Sequence, residues 1–196
     1  MVMQYSEACE RNKEPILEVL REVVPAGGRV LEVGCGTGQH AVHFAANLDG
    51  VTWQPADREG RLGSMRARAA QADLDNLQEP VALDLFDESW PVEEVDALVT
   101  INVLHIAPWE ATERLFAHAD ELLEAGPLYV YGPFRYVDRP LEPSNERFDR
   151  MLRGRDPEMG LREAGAVAEH AADYGFELVE DRAMPANNRS LVFRRR

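Results

Sequence analysis

The sequence predicts an α/β fold: a seven-stranded, doubly wound sheet that ends in an antiparallel β-hairpin. Three observations carry this. Short apolar runs alternate with stretches of helical periodicity along the chain, as when strands are joined by right-handed helical crossovers. The run Val30-Leu31-Glu32-Val33 passes directly into Gly34-Cys35-Gly36-Thr37-Gly38 and then into a helical pattern at Gln39-His40-Ala41. A strand, a glycine turn and a helix N-terminus in that order make a nucleotide cradle. Finally, two runs near the end have no helical pattern between them, which requires an antiparallel pair.

Each element follows from local chemistry. A helix is expected over Glu14 to Val23, with Pro15 in its first turn, where a missing N–H costs little. Pro25-Ala26-Gly27-Gly28 breaks the chain before the first strand, Arg29 to Val33. A helix from Gln39 to about Leu48 carries Ala41, Phe44, Ala45 and Leu48 at helical spacing. Val51 to Ala56 reads as a strand ending in Asp57, Arg61 to Ala72 as a polar helix, and Val81 to Leu83 as a short strand ending in Asp84. Val95 to Ile101 is mostly apolar, as parallel strands buried on both faces are. Glu110 to Glu124 (helix) and Leu128 to Tyr131 (strand) follow. Beyond a polar, Pro-rich segment come a helix near Glu163 to Tyr174 and the strands Glu177 to Asp181 and Leu191 to Phe193, joined by a turn containing Pro185-Ala186-Asn187-Asn188. Nothing marks a linker or a repeat, so residues 1–196 are expected to form one domain, with residues 1–25 as an N-terminal lid and helix.

Composition narrows the function classes. The formal charge is −14 over 196 residues, which opposes attraction to nucleic acid or anionic lipid. Lys13 is the only lysine, and this acid-rich, lysine-poor balance suits a salt-rich cytoplasm or a GC-rich genome. The basic tail Arg194-Arg195-Arg196 reads as a solvated terminus. Cys9 and Cys35 have no spacing that suggests a disulfide framework or a metal site. No apolar stretch reaches the roughly 18 residues of a membrane span, and the N-terminus lacks signal-peptide regions. A cytoplasmic protein, monomer or homodimer, with a small-molecule substrate is expected, without nucleic-acid or membrane partners.

The glycine spacing alone leaves two cofactors open. Gly36-Thr37-Gly38-Gln39-His40-Ala41 fits the dinucleotide fingerprint, and Asp57 lies near the offset of a ribose-binding acid. Three further features favour S-adenosylmethionine (SAM). Glu32 stands two residues before Gly34, giving E-x-G-x-G-x-G, where a carboxylate suits a cationic ligand and would be poorly placed beside a pyrophosphate. Asp57 can accept from both ribose hydroxyls. Asp84 ends the next strand, where an acid can accept from the adenine amine, with Leu85 beside it. Each acid could instead be a strand end, a cap or a turn residue. Helix-linked strands with a terminal hairpin resemble the class I SAM methyltransferase, Rossmann-like fold.

Further motifs carry a more specific resemblance. Glu10-Arg11-Asn12-Lys13-Glu14-Pro15-Ile16, Gly36-Thr37-Gly38-Gln39-His40-Ala41-Val42-His43-Phe44-Ala45, Trp53-Gln54-Pro55 and Ile101-Asn102-Val103-Leu104-His105-Ile106-Ala107-Pro108-Trp109 are four of them. Tyr131-Gly132-Pro133-Phe134, Pro143-Ser144-Asn145 and Met184-Pro185-Ala186-Asn187-Asn188 are the others. Together they resemble a methyltransferase-like family described as a domain of unknown function, with bacterial and animal members. The resemblance spans nearly the whole chain and implies the fold and SAM binding. It implies no substrate. Two positions depart from the family pattern: Gly34-Cys35 replaces a small Ala-Ser pair, and Met159 stands where an aromatic residue is expected.

In an open α/β sheet, ligands bind outside the carboxyl ends of the strands. That rule selects Asn102, His105 and Trp109 after the fourth strand, Phe134 after the fifth, and Asn187 and Asn188 between the last two. Methyl transfer needs a nucleophile aligned with the S–CH₃ bond, water excluded, and in many cases a base. His105 is the candidate base, because an imidazole titrates near neutral pH. Cofactor contact is expected from Glu32, Gly34, Gly36, Gly38, Asp57, Asp84, Leu85 and Asn102. Substrate contact is expected from Arg11, Asn12, Lys13, His40, Trp109, Tyr131, Phe134, Asn187 and Asn188. An NAD-dependent oxidoreductase and a SAM-binding pseudoenzyme are the rival readings.

Overall fold

The computed structural model describes residues 3–196. In chain order its elements are α1 (Glu7–Val23), β1 (Arg29–Val33), α2 (Gln39–Asn47), β2 (Thr52–Asp57), α3 (Leu62–Ala72), β3 (Val81–Ala82), β4 (Ala97–Ile101) and α4 (Trp109–Leu122). There follow β5 (Leu128–Gly132), β6 (Phe134–Arg135), α5 (Pro143–Arg155), β7 (Arg162–Glu163), α6 (Ala164–Asp173), β8 (Phe176–Met184) and β9 (Asn188–Arg195). The main sheet has seven strands in the order β3-β2-β1-β4-β5-β9-β8, and β6 pairs separately with β7. The pairs from β3 to β5 are parallel. β9 runs antiparallel between β5 and β8, as the expected terminal hairpin.

Alternation along each strand sends side chains to opposite faces of the sheet. On one face Val30, Val99, Tyr129 and Trp53 pack with Ile16 and Leu20 of α1 and Phe44 of α2. On the other, Leu31, Leu98, Leu128 and Phe193 pack with Phe116 of α4 and Val167 of α6. Both faces of β1, β4 and β5 are therefore covered. The strand ends are left as the place where a ligand can enter.

The structure corrects the expectation in three places. Helix α1 begins at Glu7 rather than at the expected Glu14, so Pro15 lies in its interior and not in its first turn. An interior proline forfeits a backbone hydrogen bond and costs about 3 kcal/mol. The helix persists because Ile16, Leu17, Val19, Leu20 and Val23 are buried together and Arg11–Glu7 and Lys13–Glu10 pair along its exposed side. The first two residues of segment 1–25 lie outside the described residues. The Pro-rich segment after β5 contains α5, which starts on Pro143, buries only Asn145 and Leu152, and is laced by Arg150–Glu146 and Arg153–Asp149 pairs. Such a helix has no apolar stripe to announce it. Of the basic tail, Arg195 is built into the hairpin, paired with Asp120 at 2.7 Å and lying 5.0 Å over the ring of Phe176.

Glu32 is 1% exposed, and the indole N–H of Trp53 on β2 donates to its Oε2 at 2.8 Å. Burial pushes its carboxyl up to about 7; the Trp53 bond opposes the shift and the nearby Asp57 adds to it. Because the folded pKa is raised, the group's contribution to stability is present below its unfolded pKa and is lost as pH rises through about 7. Glu32→Gln keeps an acceptor for Trp53 and cannot ionise. Its stability relative to wild type should therefore rise between pH 5 and pH 8 by on the order of 2 kcal/mol, read from urea midpoints at each pH. A difference that stays flat would mean the carboxyl ionises freely in the fold.

Candidate functional site

The loop from β1 to α2 turns through left-handed backbone at Gly34 (φ +82°) and Gly36 (φ +53°). The conformation is held from β2: the Gly34 and Cys35 N–H groups donate to the Ala56 carbonyl at 2.8 and 3.0 Å, and the Gly36 N–H donates to Asp57 Oδ2 at 2.9 Å. A Cβ at Gly34 would lie 2.4 Å from Val103 Cγ2, whereas one at Gly36 would meet nothing nearer than the Gly34 carbonyl at 4.0 Å. Gly34 is thus required by packing as well as by φ. Gly36 faces open space, where a ligand can reach the backbone. Gly38 begins α2 without a side-chain cap, so the first-turn N–H groups leave the positive end of the helix beside this loop.

Above the loop a cavity of about 1190 Å³ runs across the strand ends, larger than the upper range for one drug-sized ligand. Asp57, Arg58, Leu83, Asp84, Leu85 and Phe86 line it outside β2 and β3. Gly34, Gly36, Asn102 and Val103 form its middle, and His105, Tyr131, Asn145, Phe148 and Asn188 its far end. Cys9, Arg11 and Asn12 of α1 cover it. This roof is pinned: the Ser6 N–H donates to Gln39 Oε1 at 2.6 Å, and the Gln39 amide returns a bond to the Ser6 carbonyl at 3.3 Å.

The structure therefore gathers Gly34, Gly36, Asp57, Asp84, Leu85, Asn102, His105, Arg11, Asn12, His40, Tyr131 and Asn188 around one cavity. Six expected residues are not in its wall. Glu32 lies inside the sheet on Trp53, and Gly38 packs against Met65, whose Sδ would be 2.5 Å from an added Cβ. Lys13 is paired with Glu10. Trp109 packs edge-on against His170, and Phe134 is buried in the core of the opposite face. Asn187 is spent on α5: its carbonyl accepts from Asn145 Nδ2 at 2.9 Å and its own amide donates to Ser144 Oγ at 3.1 Å. Cys9, Arg58 and Phe148 line the cavity without having been expected. The position of Arg58 directly after Asp57 was a usable signal, whereas Cys9 and Phe148 belong to helical turns that were not foreseen.

Desolvation sets the electrostatics of the far end. His105 is 6% exposed, and burial, reinforced by the Arg162 guanidinium, holds its imidazole down at about 4. The near-neutral titration expected for it is thus displaced, and the ring is neutral at pH 7. Its turn is clamped from β7: Arg162 donates to the carbonyls of Leu104 and Glu158 at 3.0 Å and to that of Ala107, and the Gly160 N–H donates to the His105 carbonyl at 3.0 Å. His40 is held near 4, again mainly by burial, and its Nε2 lies 2.8 Å from Asn12 Oδ1. Asn102 sits at φ +60°, a left-handed position that asparagine tolerates better than most residues.

Among the described residues no helix is long and apolar enough to cross a membrane. The 27-O-demethylrifamycin SV methyltransferase of Amycolatopsis mediterranei (strain S699) is 28% identical over 159 residues, covering 76% of this chain and 57% of its own. The 24-methylenesterol C-methyltransferase 2 of Arabidopsis thaliana is 25% identical over 184 residues, covering 91% of this chain and 49% of its own. The chain spans about half the length of these curated relatives. In fold it is similar to human N-acetylserotonin methyltransferase in complex with SAM, with a TM-score of 0.80 at 15% identity over 96% of this chain and 53% of that one. The sheet is thus of the Rossmann-like methyltransferase type. The family described as "Protein of unknown function (DUF938)" matches residues 3–195, and the chain belongs to it.

Proposed function

We propose that the chain is one SAM-dependent methyltransferase domain that acts on a small-molecule nucleophile. The observation that carries this reading is the one cavity that joins the left-handed glycine loop and two strand-end acids to a far end lined by the buried His105. A methyl donor and its acceptor must meet in one water-excluding space.

The residues present suit an adenosyl ligand. Asp57 Oδ2 accepts the Gly36 N–H and Oδ1 the Arg58 N–H, but a carboxylate offers about four acceptor sites, so lone pairs remain for ribose hydroxyls. Asp84 is the acceptor for the adenine amine, with Leu85 against the base. The Gly34 and Gly36 backbone and Asn102 border the amino-acid tail, while Glu32 stays buried beneath the loop on Trp53. When bound, SAM supplies an electrophilic methyl group. The protein aligns the acceptor and keeps water out, and His105 takes the proton that the acceptor releases. An imidazole held near 4 is a weak base. That is sufficient for a hydroxyl, because the methylated oxygen is an oxonium far more acidic than an imidazolium. The matched relatives methylate different atoms, to judge by an O-demethyl substrate in one name and a C-methyltransferase activity in the other, so the acceptor atom is set by this chain's own far chamber. The working protein is placed in the cytoplasm as a monomer or homodimer, its charge of −14 working against nucleic-acid binding.

Calorimetry should show binding of SAM and S-adenosylhomocysteine and none of NAD; tight NAD binding without a response to either adenosyl ligand would sink the proposal. Asp57→Ala should weaken S-adenosylhomocysteine by about 1.5–3 kcal/mol, the worth of hydrogen bonds to a charged group, and an unchanged affinity would remove Asp57 from the ribose. In labelled-imidazole NMR, the His105 signal should keep its neutral shift down to below pH 5, whereas a midpoint near 6.5 would contradict its desolvation. Once a labelled-methyl screen of cell extract has found an acceptor, His105→Ala should leave SAM affinity intact and slow turnover by about 10²–10⁴-fold.

A further inference from the structure

The Tyr131 hydroxyl is the one side-chain polar atom among the described lining residues that is buried and has no hydrogen-bond partner. Tyr131 is the residue before the last of β5 and is 2% exposed. Its neighbours explain which half of the hydroxyl is left over. His40 Nε2 donates to Asn12 Oδ1 at 2.8 Å, which turns the Asn12 amide nitrogen away from His40. That nitrogen and the Asn188 amide lie beside the phenol oxygen as donors, near enough to lower its pKa against the dominant effect of burial but short of full hydrogen-bond geometry. The Asn188 amide is itself oriented by a 3.1 Å bond to the Pro185 carbonyl. The two amides beside the oxygen thus face it as donors, and among the described residues the phenolic hydroxyl has no acceptor within hydrogen-bond geometry.

We infer that Tyr131 donates its hydroxyl proton to an uncharged carbonyl or ether-type oxygen on the methyl-acceptor substrate, and that Asn12 is the positioning residue that aims it. The inference rests on the methyltransferase reading and adds a substrate class to it: a neutral, largely apolar small molecule with a hydrogen-bond acceptor. Sheet order favours the acceptor over the SAM carboxylate as the partner. β5 lies three strand intervals from β2, which puts Tyr131 roughly 14 Å from Asp57 at ordinary strand spacing. Of the charged residues in the wall, Asp57, Arg58, Arg61 and Asp84 are at the β2–β3 end, and Arg11 is on the α1 roof. Around Tyr131 the wall offers Asn145, Asn188, the neutral His105 and the ring of Phe148, which lies edge-on to His105 at 5.4 Å. Of the nearby cations, Arg11 on the roof is mostly solvent-exposed and pairs with Glu7 at 3.4 Å. Arg162 is spent on the carbonyls of Leu104, Ala107 and Glu158. Neither is held against Tyr131 to neutralise an anionic substrate. A bare apolar one would leave the Tyr131 proton buried and unpaired.

The test uses the full chain saturated with S-adenosylhomocysteine and a matched pair of probes, 1-acetylnaphthalene and 1-ethylnaphthalene, which differ in a carbonyl oxygen. Titration calorimetry should show the ketone binding about 10-fold more tightly than the hydrocarbon. Tyr131→Phe should erase that preference while leaving S-adenosylhomocysteine affinity unchanged. Asn12→Asp, which gives the phenol an internal acceptor, should erase it as well, and urea midpoints establish that both variants are folded. Equal or absent binding of the two probes by wild type, or a ketone preference that survives Tyr131→Phe, overturns the inference. So does a roughly 10-fold loss of S-adenosylhomocysteine affinity in Tyr131→Phe, which would move the hydrogen bond onto the cofactor carboxylate. Failure of wild type to bind S-adenosylhomocysteine at all is a different result, and it defeats the methyltransferase reading beneath.

Discussion

The site depends on how closely β1, β2 and β4 converge at Gly34. Val103, just past the end of β4, occupies the space where any side chain at Gly34 would go, and the Ala56 carbonyl at the end of β2 takes the N–H groups of Gly34 and Cys35. Only a residue without a Cβ, at positive φ, satisfies both neighbours. Once that turn is made, Gly36 comes within reach of Asp57 and the first turn of α2 is aimed across the strand ends. The cavity floor is therefore a by-product of sheet closure. The loop is held by backbone bonds and one carboxylate, which is a stiffer arrangement than contacts between flexible side chains.

Burial then decides which groups carry charge. The desolvation that makes the sheet interior dry raises Glu32 and lowers His40 and His105. These shifts have opposite signs because burial penalises whichever form is charged. Two histidines in a strongly acidic protein would otherwise attract protons; here they stay neutral and act as directional donors or acceptors. His40 shows the use of this: a neutral ring with a defined hydrogen bond orients Asn12, which a freely titrating imidazole would do only over part of the pH range.

The parts of the molecule that were legible in the sequence are those where a physical requirement leaves a residue-type signature. Parallel strands buried on both faces read as continuous apolar runs, and the glycine turn reads as three alternating glycines, so β1, α2, β2 and β4 were placed to within a residue or two. Topology then brought Asp57, Asp84, Asn102 and His105 to the cavity without any knowledge of side-chain contacts. Misplacements arose where tertiary packing overrides a local rule. Pro15 in a helix interior and the highly polar α5 contradict propensity and are retained by neighbours far away in sequence. Lys13, Phe134 and Asn187 occur in motifs that do border the cavity, but side-chain direction, which a motif does not encode, sends them to an ion pair, the core and α5. Glu32 is subtler. An acid ending an apolar strand looked exposed to ligand, yet the Trp53 indole, a strand away, turns it inward.

The division of labour along the sheet has a structural reason. The β2–β3 end and the glycine loop are built from consecutive βα units, so their geometry is set locally and tolerates little change. The other end is assembled from distant parts of the chain: Asn12 from α1, His105 from the turn after β4, Phe148 from α5 and Asn188 from β9. None of these is a neighbour of another in sequence, and α5 is held to the hairpin through Asn145 and Asn187 rather than through an apolar seam. Substitutions in α1, α5 or the hairpin can reshape the chamber over β5 without disturbing the backbone bonds that hold Gly34 and Gly36. An architecture of this kind lets one end of the cavity stay constant while the other changes. The polarity of the chamber, rather than the glycine loop, is therefore where this chain's chemical individuality resides.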